Sequence, residues 1–513
     1  MMVILLRIDG RRRNEISPPD NDFDASSLQR CRDILYINIF DELHVEEPKT
    51  VHEHDQIVRE RIARNWLGSI KIPFSNIYVN GRLEGTYRLN IPTPLLGYSR
   101  DKLSPGKLET TRVTSPTSVL RMFITMEPLL APPESVQQSF DSTESLELLN
   151  HARFWVTDLN KKFPNRDYKA TVSDINGRSV FIPRFLRPLP LPQLGLTAAA
   201  AAGGGADNQM QCQQLARFVS LIPFLSDTVI FPGLCDIWET SDQFLHTMSG
   251  DDEEHAVLLN NYFLTLNKNS WIAIGVSIYS GPCCFVLTKE DGQRYPTCWS
   301  VADGRDASTI DTWNPIRSIY LLANQENIWA NIQEQDIPSR MNFDVGKAAD
   351  WRPFFSHSFP RDTLPWTSVQ PNDLHYEDTR SDDAEILSKE ISHILRNKMI
   401  DWREANATSW HHVCQKHLEE IIKRKEMEFI RGSTINGADI EPELADFQKT
   451  HNITGFALQM PYTTVQAIVD TVYSTNIFKH ATNEIKFALA VHVHPYPNNI
   501  LAVWIYIAHL TPK

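Results

Sequence analysis

Residues 250–263 read GDDEEHAVLLNNYF, a glycine and four acids followed by an apolar stripe. This stretch constrains the fold more than any other in the chain. Asp251 and Glu254 have the spacing of a capping box, and acids in a first turn complement the positive helix end. A helix beginning at 252 and burying Val257, Leu258, Leu259, Phe263, Leu264 and Leu266 accounts for every residue. The runs that follow, SWIAIGVSIYS, CCFVLTKEDGQRYPTCWSVAD and IRSIYLLANQENIWANI, have the β-branched and aromatic character of strands. Helices at 145–163, within LARFVSLIPFL and within SDQFLHTM precede them, and helices grouped before antiparallel strands mark an α+β unit.

At 513 residues the chain is too long for one core, so several domains are expected. Residues 1–28 read as irregular. Short β runs from 34 to 128 read as a sandwich or part of one. LPLPQLGLTAAAAAGGGADNQMQ (189–211) reads as a low-complexity loop, and 346–371 as a Pro- and Trp-bearing connector. From 372 onward, helices over 381–402 and 409–428 lead to TTVQAIVDTVYST and then to a two-stranded hairpin around the PNN turn near 497–499.

Composition removes some function classes. A net charge of −13 argues against phosphate-backbone binding, so nucleic acid is not an expected partner. The opening apolar run precedes its arginines, the reverse of a signal peptide, and no run approaches the roughly 18 apolar residues of a membrane span. Seven cysteines without a CxxC pair indicate neither a disulfide framework nor a zinc ribbon. A cytosolic compartment is expected.

The 250–277 stretch resembles the Gly-x-Cys-x-x-x-Ala region of the transglutaminase-like fold, with Ala256 four residues past the nucleophile slot. It is especially similar to the version in the family of coiled-coil and C2 domain-containing protein 2A, of the ciliary transition zone. LQRCRDILYINIFDE, RNWLGSIKIPFSNIY, CDIWETSDQFL, GFALQMPYTTVQAIVDTVYST and FALAVHVHPYPNNILAVWIY carry the same resemblance, from about residue 28 to the end. It points to the C-terminal half of an invertebrate member, without the family's N-terminal coiled coil. The implied domains are a partial C2-like β-sandwich (29–130), a transglutaminase-like, papain-like α+β domain (145–345) and a helical plus β-hairpin domain (372–513).

In the family's enzyme relatives a thiolate attacks, a histidine moves the proton and an aspartate orients the imidazole. Position by position, the nucleophile slot here is Asp252, the histidine slot about Cys283 and the aspartate slot about Ser300, with Asp303 nearby. None is the required residue, so the resemblance implies a fold without catalysis, cofactor or metal. Implied partners are other proteins of the tectonic-like (Meckel-syndrome) complex, with a membrane contact through the C2-like domain. The implied role is support of cilium assembly and of the ciliary diffusion barrier from the cilium base.

Competing readings attach to specific residues. Cys283, Cys284 and Cys298 form a thiol trio that a rearranged transferase or hydrolase would use, although strand cysteines are commonly core residues. His411, His412, Cys414 and His417 in WHHVCQKH, and His492 with His494 in HVHPYP, offer incomplete metal sets. Asp41 stands at an expected strand end where a calcium-dependent lipid binder places an acid, but Leu43 replaces the companion acid.

Overall fold

The computed structural model describes residues 2–8, 28, 31, 33–46, 60–92, 95–96, 118–126, 141–194, 205–227, 236–364, 366–403, 407–430, 444–479 and 485–513. The chain is a mixed α+β multidomain protein.

Its N-terminal module joins β1 (Met2–Ile8), β2 (Ile34–Glu46) and β3 (Glu60–Pro73) in one antiparallel sheet. Residues 2–8, expected to be irregular, are thus an edge strand, running from Met2 opposite Asp41 to Ile8 opposite Leu35. Their MVILLRI run supplies the β-branched and aliphatic residues that a pleated surface favours. Helix α1 (Phe74–Asn80) stops at Gly81, whose φ of +64° suits a residue without Cβ. β4 (Arg82–Arg88), a two-residue β5 (Leu95–Leu96) and β6 (Val119–Thr125) follow. β4 and β6 pair with each other, and Leu83 and Tyr87 pack against Ile37, Ile39, Ile70 and Ile72 of the larger sheet.

The middle unit opens with β7 (Asp141–Ser142) and α2 (Leu146–Lys162), whose Ser145 cap accepts from the Leu148 N–H at 3.2 Å. β8 (Thr171–Asp174), β9 (Arg178–Phe181), α3 (Gly205–Ser220), β10 (Ile237–Trp238) and α4 (Ser241–Thr247) lead to α5 (Asp252–Thr265). The expected loop over 189–211 is therefore shorter. Residues 195–204 lie outside the described set, and 205–211 already belong to α3.

Seven antiparallel strands then build one sheet against α5: β11 (Ser270–Ser277), β12 (Gly281–Thr288), β13 (Thr297–Trp299), β14 (Asp306–Ser308), β15 (Ile316–Ala323), β16 (Ile328–Asn331) and β17 (Trp351–Pro353). Their order across the sheet is β14-β13-β12-β11-β15-β16-β17. β17 lies inside the expected connector, so the unit extends past 345. The cause is Trp351, fully buried, with its indole N–H donating to the Asn342 carbonyl at 2.8 Å.

In the C-terminal unit, α6 (Ser381–Arg403), β18 (Ser409–Trp410), α7 (His412–Ile430), α8 (Ala445–Thr450), β19 (His451–Pro461), α9 (Val465–Ser474), β20 (Lys486–Pro495) and β21 (Leu501–Pro512) follow in order. The expected hairpin is the centre of a five-stranded sheet, β18-β20-β21-β19-β5, with β18 parallel to β20. Alternation along β20 explains the continuous apolar run. Leu489, Val491 and Val493 share a core with α6, while Ala488 and Ala490 share one with α7. Both faces are covered, so no polar side is required.

The units also share cores. Phe40 and Trp66 of the N-terminal module join the α6 side, with Trp66 4.5 Å from Phe456 between ring centroids. Tyr496, Ile500 and Ala502 of the C-terminal unit join the core beneath α5.

Candidate functional site

The mouth of α5 is the nucleophile slot of the sequence reading, and its cap forms as the spacing predicts. The Asp251 carboxylate accepts from the Glu253 N–H at 3.2 Å, and Glu254 returns to accept from the Asp251 N–H at 3.0 Å. The acids do not sit on a solvated turn, however. Glu253 and Glu254 are buried, because α4 packs against α5 and the segment just after β10 reaches this end of the helix. Glu254 also accepts from the Glu239 N–H at 3.2 Å, and Asp227 accepts from Ile237 at 2.8 Å.

Crowding then moves protons. Burial lifts Glu254 to about 8, despite bonds from Asp251, with Asp227 and Glu253 adding to the rise. Burial likewise takes Asp227 to about 7, aided by the charges of Asp236 and Glu239. Asp251 stands well above the usual carboxylate range, first through burial and then through Glu254 and Asp227, and Glu253 does so through burial and then through Asp251 and Asp236. Carboxylate oxygens of Asp227, Asp251 and Glu254 lie within 4.8 Å of one another, close enough for a hard cation to bridge. Asp227 was not singled out in the sequence; only folding brings it to the cap.

Asp252 itself is half-buried and accepts from the Ser280 hydroxyl at 3.2 Å. Burial lifts its carboxyl to about 6, with Ser280 pulling the other way. Cys283 is close enough to feel the charges of Asp252 and Glu253, which, after burial, push its thiol well up. The Cys283 side chain itself packs into the core on the opposite face of the sheet from α5. Ser300 lies in a turn, donating its N–H to the Arg305 carbonyl at 2.8 Å and accepting from Gly304 at 2.9 Å. None of its hydrogen bonds reaches Asp252 or Cys283.

The thiol trio is split by strand alternation. Cys283 and Cys298 belong to the core on the outer face of the sheet, while Cys284 faces the core beneath α5. All three are buried, and burial is the main cause of every upward shift, to about 12 for Cys298. Beside Cys284, Lys169 pairs with Asp236; burial opposes its charge, but Asp236, Cys284 and Glu253 together raise its pKa and keep the ammonium charged. His255, one turn inside α5, directs Nε2 at the Ile222 carbonyl, 3.0 Å away, and Nδ1 at that of Asp251, 2.5 Å away. It is a buried peg rather than a base for any of these thiols. Burial holds Cys283, Cys284 and Cys298 as neutral thiols, which are not activated nucleophiles.

The other candidates disperse. Cys414 is buried beneath α7, and His411 Nδ1 accepts its N–H at 3.1 Å, capping the helix. His417 faces Glu420, and His412 starts the helix. His492 and His494 have ring centroids 6.0 Å apart, and burial together with His494 lowers His492 to about 4. Neither group brings three ligand atoms together. Asp41 is not at a strand end: β2 continues to Glu46 and pairs with β3 along that length.

Family models match two parts of the chain: the CEP76 peptidase-like domain over residues 236–354 and the Centrosomal protein of 76 kDa C-terminal domain over 380–511. Protein CC2D2B of Homo sapiens is 32% identical over 96% of this chain and 34% of its own length. Coiled-coil and C2 domain-containing protein 2A of Drosophila melanogaster is 28% identical over 95% of this chain and 36% of its own. This chain is a homologue of the CC2D2 proteins. It spans about a third of the length of the curated relatives it matches. The solved structure of Legionella pneumophila LapG is 12% identical, covering 29% of this chain and 91% of its own, with a TM-score of 0.22. That overlay is too loose to establish a shared fold. The peptidase-like match spans α5 and the whole seven-stranded sheet, so the acidic mouth lies within it.

Proposed function

We propose that the chain is a non-enzymatic structural part of the ciliary transition zone. It works there in the tectonic-like complex and supports cilium assembly and the diffusion barrier between ciliary and plasma membrane. The carrying observation is homology to the CC2D2 proteins along nearly the whole chain. The family-model matches to a centrosomal protein favour the same cellular neighbourhood, at the cytoplasmic and cytoskeletal base of the cilium. The site geometry supports the absence of catalysis: a carboxylate fills the nucleophile slot and the nearby thiols are held neutral. In this reading the transglutaminase-like unit is kept for shape. The N-terminal β-module serves as a partial C2-like sandwich that meets neighbouring complex subunits and the membrane surface.

The test is the position of the endogenously tagged protein at super-resolution in ciliated cells, beside a null line. A ring at the ciliary base, distal to the basal body, with short or leaky cilia in the null, supports the proposal. Diffuse protein with normal cilia overturns it.

A further inference from the structure

The turn joining β11 to β12, Ile278–Ser280, does not end in solvent. Ile278 and Tyr279 pack into the core of the N-terminal module. The Tyr87 hydroxyl donates to the Ile278 carbonyl at 3.1 Å, and its ring meets that of Tyr279 edge-on, centroids 4.8 Å apart. The Arg88 N–H donates to the Tyr279 hydroxyl at 2.9 Å. The Asn80 amide donates to the Ser280 carbonyl at 3.1 Å.

Two glycines record how close the surfaces come. A Cβ on Gly85 would stand 2.1 Å from Ile278 Cγ2, and one on Gly281 would stand 2.0 Å from Asn80 Oδ1. Ser280, held by Asn80 on one side, donates its hydroxyl to Asp252 on the other. A continuous line of contacts therefore runs from the N-terminal module to the degenerate nucleophile slot.

We infer that the β11–β12 tip is an internal ligand of the N-terminal module, completing that module's core and holding the module as a fixed lid over the Asp252 mouth of α5. The mouth's occupant is then a segment of the same chain, and an external peptide is excluded from it. This rests on the reading of Asp252 as a vestigial nucleophile slot and adds what covers it.

Hydrogen exchange on the intact chain tests the inference, comparing wild type with Tyr87→Phe and with the wedge Gly85→Leu. Tyr87→Phe keeps the ring and loses one hydrogen bond, so it carries the test if the wedge does not fold. In wild type, peptides covering 278–284 are expected to be protected. In Tyr87→Phe, exchange should quicken about five- to tenfold in both 82–88 and 278–284, with 316–330 unchanged. Unprotected wild-type peptides, exchange unaltered in both segments, or an equal rise across 316–330 would each overturn it. Localisation at the ciliary base is read separately, so loss of the lid and failure of the scaffold proposal are distinguishable.

Discussion

The mouth of α5 and the middle of α7 both bury carboxylates, yet their charges have opposite fates. Glu426 on α7 is fully enclosed, and burial alone would raise its pKa. Instead Arg217 of α3 pairs with it at 3.1 Å, and Tyr496 and Trp504 donate to the same carboxylate. The balance holds Glu426 below its ordinary value. At the mouth of α5, acids face acids, backbone N–H groups supply most of the donors, and four carboxyls are pushed up. Burial costs the same at both places; a matched cation decides whether the charge survives. The first arrangement ties three elements from two units together. The second leaves a proton-sharing cluster at the mouth of α5, inside the stretch matched by the peptidase-like domain.

The sharpest way to break this comparison is to remove the cation. Arg217→Met should strand the Glu426 charge and cost about 3–5 kcal/mol, measured by thermal or denaturant unfolding. Adding Glu426→Gln should recover much of that loss, whereas two fully additive penalties would mean the pair is not a unit.

The next largest effect is a pH dependence. The raised carboxyls of Asp227 and Glu254 bind more protons folded than unfolded. Their contribution is therefore complete below about pH 4 and is lost as pH rises through about 7 to 8. Unfolding temperature should fall from pH 5 to pH 8. Glu254→Gln keeps a capping side chain and should flatten this slope, gaining about 1–2 kcal/mol at pH 8. A slope unchanged by the substitution would remove Glu254 from the cluster.

A thiol placed in the slot is a finer probe. In Asp252→Cys, surrounding acids should hold the new thiol above the ordinary value of about 8.5, seen as the midpoint of alkylation rate against pH. A midpoint below 7 would reveal a thiolate-stabilising site. Smallest of all, Ser280→Ala should cost about 0.5–1.5 kcal/mol through loss of its bond to Asp252.

The local rules carried far in this chain and failed where long-range packing decides. The capping box of Asp251 and Glu254, the helix behind it and the strands after it are all written in short-range spacing. Burial of Glu253 and Glu254 is not, because α4 and the Glu239 segment reach them only once the chain folds. Met2–Ile8 looked irregular until β2 gave it a partner. β19 was missed for a similar reason. Gly455 interrupts its pattern, yet a Cβ there would stand 2.5 Å from that of Ala508, so the glycine marks a close strand approach. The two residues of β5 carry no signal of their own, since pairing with β19 alone makes them a strand. At the site, the place of Asp252 at the mouth of α5 was legible. Asp227 and the lid over Ser280 were not legible, since both depend on contacts between distant segments.

The most direct measurement is complementation of a null ciliated line by the endogenous locus edited to Asp252→Asn, Cys283→Ala and Cys284→Ala together, with protein level matched by immunoblot. A structural role predicts cilia of normal number and length and an intact membrane barrier. Loss of cilia at normal protein level would contradict it and return chemistry to the mouth of α5.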